Sequence, residues 1–147
     1  MTPSEVFSIA GMITMPMWIL MIVLPKWKVT RFFIDFKVIP LALSAIYAVY
    51  IFKAMQIGGA MDFGSLQSVM ALFTEEHAVL AGWVHYLAFD LVVGMWMLDQ
   101  NKKLQIHQLL MAPCLFGTFM LGPIGFLAFM ILRAVKPELC NRKSIPS

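Results

Sequence analysis

An apolar run with an acid in its middle constrains this chain more than any other feature. Ala78–Leu98 is 21 residues long and carries one charged group, Asp90, together with His85. A helix rises about 1.5 Å per residue, so about 20 apolar residues cross the hydrocarbon layer of a bilayer. The run is therefore read as a membrane span. An ionised Asp at the centre of such a helix costs about 2.5–3.5 kcal/mol on insertion scales, so Asp90 is expected to face protein or water rather than lipid tails.

The rest of the composition agrees with that solvent. The 147 residues are 61% hydrophobic and 13% charged, with a mean hydropathy of +0.82, whereas soluble proteins carry about 25% charged residues. A single polytopic domain, 1–147, follows, with little mass outside the bilayer. The net charge of +3 comes mainly from Lys and Arg flanking apolar runs. That pattern sets topology and touches anionic membrane lipid; it offers nothing to nucleic acid. Cys114 lies in an apolar run and Cys140 in a basic tail, so two free thiols at different depths are expected rather than a disulfide. The amino end shows no basic n-region and no A-x-A site, so its apolar run reads as a retained first span without an organelle transit peptide.

Four spans are expected, at about 6–24, 33–52, 78–98 and 109–132. Pro16 should kink the first, which neighbours or water make tolerable. Trp27, between Lys26 and Lys28, reads as an interfacial anchor in a basic loop that also holds Arg31 and Lys37. In 65–73, Ser65 can cap a short helix in which Leu66, Val69, Met70 and Phe73 recur at helical spacing. The fold class is thus all-α: a polytopic four-helix membrane bundle with a short interfacial amphipathic helix between the second and third spans, read either as a cover over a site beneath or as a connector. Thr74 is expected to cap the third span, with Glu75 and Glu76 in its first turn, where the helix dipole favours negative charge. The fourth span is uncharged but contains Pro113, Gly117, Gly122, Pro123 and Gly125, residues that permit close helix approach and local opening of the backbone.

Orientation leaves a conflict. An outer amino end puts the loops with Lys26, Lys28, Arg31, Lys102 and Lys103 inside and the segment with Asp62, Glu75 and Glu76 outside. Four spans then put the basic tail, with Arg133, Lys136, Arg142 and Lys143, outside, against the positive-inside tendency. Either the tail is tolerated there or the number of spans differs by one.

Successive residues advance about 100° around a helix, so Glu76, Trp83 and Asp90, seven apart, form one stripe from the outer face to the bilayer centre. His85 lies about 140° away from Asp90, so the two do not pair along their own helix. Each is expected to meet another helix, or both border a wide cavity. Plainer readings stand beside these. His85 can simply hydrogen-bond a neighbouring carbonyl or Tyr, Trp83 can be packing, and Glu76 can serve only the helix dipole. Metal is disfavoured because His77 and His85 are two turns apart, and no haem or other cofactor is expected. The 13 methionines, spread over all spans, fit adaptable packing.

The run Trp83-Val84-His85-Tyr86-Leu87-Ala88-Phe89-Asp90-Leu91, with Glu76 seven residues before the Trp and Gly122-Pro123-Ile124-Gly125 near the end, resembles the abscisic-acid-deficient-four-like family. Its plant members are associated with neoxanthin synthesis in plastid membranes; the absence of a transit peptide here makes this chain look like a bacterial-type member, expected in the plasma membrane. The resemblance implies a four-span protein handling a carotenoid or another lipophilic polyene. Opening an epoxide to an allene needs an acid at the oxygen and a base at the adjoining polyene carbon, and no electron acceptor. Asp90, His85 and Glu76 are the catalytic candidates on this reading, and Trp83, Tyr86 and Pro123 the substrate-binding ones. Three functions stay open: an isomerase-like enzyme on a polyene, a non-catalytic lipid- or pigment-binding module, and a small proton-coupled transporter working as a homo-oligomer.

Overall fold

The computed structural model describes residues 2–58 and 61–142, and they are all-helical. Seven helices follow in order: α1 (Pro3–Val23), α2 (Lys28–Phe36), α3 (Val38–Gly58), α4 (Leu66–Leu72), α5 (Glu76–Leu104), α6 (Gln108–Leu121) and α7 (Pro123–Arg142). Among the described residues, three are long and apolar enough to cross a membrane: α1, α3 and α5.

Local chemistry starts and stops these helices. Thr2 and Glu5 form a reciprocal capping box ahead of Pro3, the first residue of α1, and the helix continues across Pro16. Lys37, in the left-handed conformation at φ 49°, ends α2. The second span consequently begins at Val38 and runs to Gly58, later at both ends than 33–52. The Ser65 hydroxyl accepts from the Ser68 N–H and starts α4, as its sequence suggests. Thr74 does not cap α5: its hydroxyl donates to the Ala71 carbonyl at the end of α4. Glu75 caps α5 instead, its carboxylate accepting from the Ala78 N–H at 2.7 Å.

The short amphipathic helix α2 is absent from the sequence-based expectation of a loop. It buries Thr30 and Ile34 and turns Phe32 and Phe36 outward. Its polar edge explains why α5 runs on past Leu98. Arg31 Nη2 donates to Asp99 Oδ1 at 2.9 Å, the Lys102 ammonium reaches the same oxygen at 2.9 Å, and Asp35 joins both cations.

The larger correction concerns 109–132, expected as one span. It is two helices, α6 and α7, broken at Gly122, whose φ of +51° favours glycine. They fold back on one another: a Cβ at Gly125 would overlap backbone atoms of Cys114, Gly117 and Thr118. The Thr118 hydroxyl, buried in this crossing, donates to the Cys114 carbonyl at 2.9 Å. Neither arm has an apolar stretch long enough to cross alone: α6 is 14 residues or about 21 Å, and the apolar part of α7 is confined to Pro123–Val135. Both arms reach the end of the molecule that carries Arg31 and Lys102. Gln108 at the start of α6 donates to the Ile22 carbonyl near the end of α1, and on α7 Phe129 and Arg133 lie against Trp96 of α5. The apex, Gly122, meets the middle of α5.

The core surrounds α5, which α1, α3, α6 and α7 all contact. Trp18, Met21, Leu91, Met95, Met97, Met111, Leu115 and Phe129 are fully buried there, so several of the methionines do fill irregular gaps. Gly94 lets α1 approach closely: an added Cβ would lie 2.7 Å from Met21 Cε and 2.8 Å from Trp18 Cη2. Cys114 is a buried free thiol, whereas the side chain of Cys140 lies outside the described residues.

Candidate functional site

Asp90 stands 14 residues from each end of the 29-residue α5, at the middle of a rod about 43 Å long. Its neighbour is the apex of the hairpin. A Cβ placed on Gly122 would lie 3.3 Å from Asp90 Oδ1 and 3.7 Å from Tyr86 Cε2. Gly122 thus provides room for the carboxylate, and α7 begins at the next residue. Asp90 Oδ2 is buried and, among the described residues, has no hydrogen-bond partner. The costly acid is sheltered by a helix start and a glycine; it lines neither of the two clefts on either side of the first half of α5.

The first cleft, about 570 Å³, lies between the start of α1, the end of α4 and the first half of α5. Its wall is apolar, from Phe7, Phe73, Val79 and Leu80, and its polar groups are Ser4, Glu76, the Trp83 indole and the Tyr86 hydroxyl. Trp83 stacks obliquely between Phe7 and Tyr86, with ring centroids 5.4 and 5.7 Å apart, which fixes the aromatic floor. Three of the predicted residues, Glu76, Trp83 and Tyr86, therefore come together. The stripe expected from the sevenfold spacing holds for Glu76 and Trp83, while Asp90 lies deeper, one turn beyond Tyr86.

His85 faces a second cleft of about 230 Å³, between α3, α4 and α5. Tyr47 of α3 is its counterpart across 5.4 Å, and Phe89 stacks on it at 4.5 Å. His85 and Asp90 are thus on different sides of α5 and share no cavity among those described. Pro123 heads α7 immediately after the glycine that meets Asp90, and is exposed.

Several contributors escape sequence reasoning. Phe73 and Gly82 line both clefts, so the Phe73 ring, 3.6 Å from where a Gly82 Cβ would stand, is the partition between them. Tyr47 carries no signal in sequence that distinguishes it from Tyr50. Gly122-Pro123 does carry one: a glycine followed by a proline matches a helix stop and a helix start placed back to back.

Comparison with known proteins gives one result. No curated protein and no solved structure matches the chain. A sequence model of the ABA DEFICIENT 4-like family matches residues 5–129, which covers the second cleft, the first cleft apart from Pro3 and Ser4, and the Asp90–Gly122 contact, and the chain belongs to that family.

Proposed function

We propose that this membrane protein is an enzyme acting on a carotenoid or similar lipophilic polyene by acid/base isomerisation or epoxide opening, with the first cleft as its site. The observation that carries this reading is an apolar cleft of about 570 Å³ lined together by Glu76, Trp83 and Tyr86. A cyclic end group lies on Trp83. Glu76 gives its proton to the epoxide oxygen as the ring opens. Tyr86 takes the proton from the adjoining polyene carbon while passing its own to Asp90, one turn deeper. One proton enters and one leaves, so the product is an isomer and no redox partner is needed. His85 and Tyr47 border the path of the polyene chain past Phe73 rather than the reacting carbon. Helix α4 lies in the membrane interface and covers the second cleft with Val69, Leu72 and Phe73.

The same reading revises the topology. The chain crosses three times with α1, α3 and α5, and α6 and α7 form a re-entrant hairpin that enters and leaves on the basic side. Non-helical backbone at Gly122 is tolerable at that depth because it is packed against Asp90 and Tyr86. The tail then lies on the same side as Lys26 and Lys102, as the positive-inside tendency asks, and the conflict of the four-span arrangement disappears. Membrane-impermeant thiol labelling of Cys140 from the side of the basic loops, with the amino end on the other, is the expected result; labelling of Cys140 and the amino end from one side returns the fourth span.

The function is tested by incubating purified protein in liposomes with an epoxy-xanthophyll and separating products by chromatography. Conversion by the native chain, lost in Glu76→Gln and reduced at least about a hundredfold in Tyr86→Phe, is expected. Bound pigment with an unchanged product profile in the native chain favours the non-catalytic pigment-binding module, and products unaffected by either well-folded variant remove the first cleft as the site.

A further inference from the structure

At the opposite end of α5 lies a cavity of different character and similar size, about 540 Å³. It is framed by the turn between α1 and α2 and the turn between α5 and α6. Lys26, Arg31, Lys102 and His107 line it, with Gln105 among the neutral donors. We infer that this cavity binds a phosphate group, and that its physiological source is the headgroup of an anionic membrane phospholipid.

Three observations converge on that ligand. Arg31 is held but not exhausted: Nη2 donates to both Asp35 and Asp99, whereas Nη1 and Nε make no hydrogen bond among the described residues. An arginine whose orientation is fixed by two carboxylates and whose remaining nitrogens border an open cavity is prepared to take an oxyanion. Lys26 lines the same cavity and makes no ion pair among the described residues, so the two acids that balance Arg31 and Lys102 leave its charge uncompensated. The neutral His107 has a defined tautomer. Its Nδ1 accepts from the Leu109 N–H at 3.3 Å, which leaves the proton on Nε2 as a further donor.

The surroundings choose a lipid over a free ion. The cavity lies where α1 and α5 end and α6 begins, the level at which the headgroups of a bilayer stand. Its sequence neighbours Leu24, Trp27 and Leu109 are 48, 50 and 77% exposed, and they give acyl chains an apolar rim beside the charged interior. A free phosphate would use the cations and leave that rim in water. The inference does not depend on the catalytic reading, since it concerns the other end of the molecule.

The test is native mass spectrometry of the detergent-purified protein titrated with phosphatidylglycerol, with phosphatidylcholine of the same chains, and with inorganic phosphate. Phosphatidylglycerol is expected to bind at one site at least about tenfold more tightly than phosphatidylcholine. Lys26→Glu should remove most of that preference. Lys103→Glu, the same charge change at the same end of the molecule but away from the cavity wall, should leave it within about twofold. Arg31→Lys keeps the charge and weakens binding about fivefold by losing the second donor nitrogen. Equal losses in Lys26→Glu and Lys103→Glu would mean diffuse surface attraction and overturn the site, as would equal affinity for the two lipids. Competition by inorganic phosphate at concentrations matching the lipid assigns the same site to a free phosphate instead.

Discussion

The two ends of α5 hold cavities of nearly equal volume and opposite chemistry. At its start, about 570 Å³ is walled by aromatic and aliphatic groups, and the nearby acid Glu75 is consumed in capping the helix. At its end, about 540 Å³ is walled by cations, and Asp35 and Asp99 hold two of them in place. One helix thus borders a mainly apolar cleft beside its start and a basic one beside its end. What separates the two is the hairpin apex at Gly122, set against Asp90 midway along the rod. The lesson is that a costly acid can be sheltered by tertiary packing without lining a cleft: Asp90 meets the hairpin apex, and Tyr86, one turn before it, lines the first cleft.

The divider itself gives the largest expected effect. Gly125→Ala places a methyl group into the backbone of α6, which cannot retreat, so a loss of more than about 3 kcal/mol is expected. Thermal unfolding in detergent checks it, and a variant of native stability would show that the arms are not in contact. Gly94→Ala, against α1, should cost about 1–3 kcal/mol, less because the Met21 methyl can swing away although Trp18 cannot.

Smaller effects sharpen the contrast between the ends. Glu75→Ala should cost about 1 kcal/mol through the lost cap of α5. Burial raises the Glu75 carboxyl, but the N–H groups of His77 and Ala78 and the His77 ring outweigh it, so the group titrates below the ordinary glutamate range. A depressed acid contributes stability above its unfolded value, about 4.3, and loses it as pH falls through the folded value. The melting temperature of the native chain should therefore fall more between about pH 5 and 3 than that of Glu75→Gln. At the other end, Asp99→Asn takes the negative charge from the oxygen that Arg31 and Lys102 share. A loss of about 0.5–1 kcal/mol at low salt, vanishing near 1 M salt, is expected for such partly exposed pairs. A salt-independent loss would mean that Asp99 acts through packing, and the electrostatic description of this end would fail.

Much of this was legible in residues read one at a time or in short windows. The apolar runs of α1, α3 and α5 and the Ser65 cap of α4 follow from local hydropathy and capping, which depend on neighbours within a turn or two. The convergence of Glu76 with Trp83 follows from helical periodicity in the same way. His85 and Asp90 were not separable by function from spacing alone, because spacing gives an angle around α5 and not what stands at that angle. Tyr47 stands at one and Gly122 at the other.

By itself, the sequence determined an all-helical chain for a bilayer, with an acid at the midpoint of its longest helix. Only the tertiary structure decided that 109–132 turns back on itself as two helices, and that Asp90 meets the turn. The physical reason is that hydropathy sums the same 24 uncharged residues whether or not the chain reverses. Reversal depends on a positive φ at Gly122 and on backbone contact between Gly117 and Gly125 across the two arms, interactions that exist only once the helices are packed.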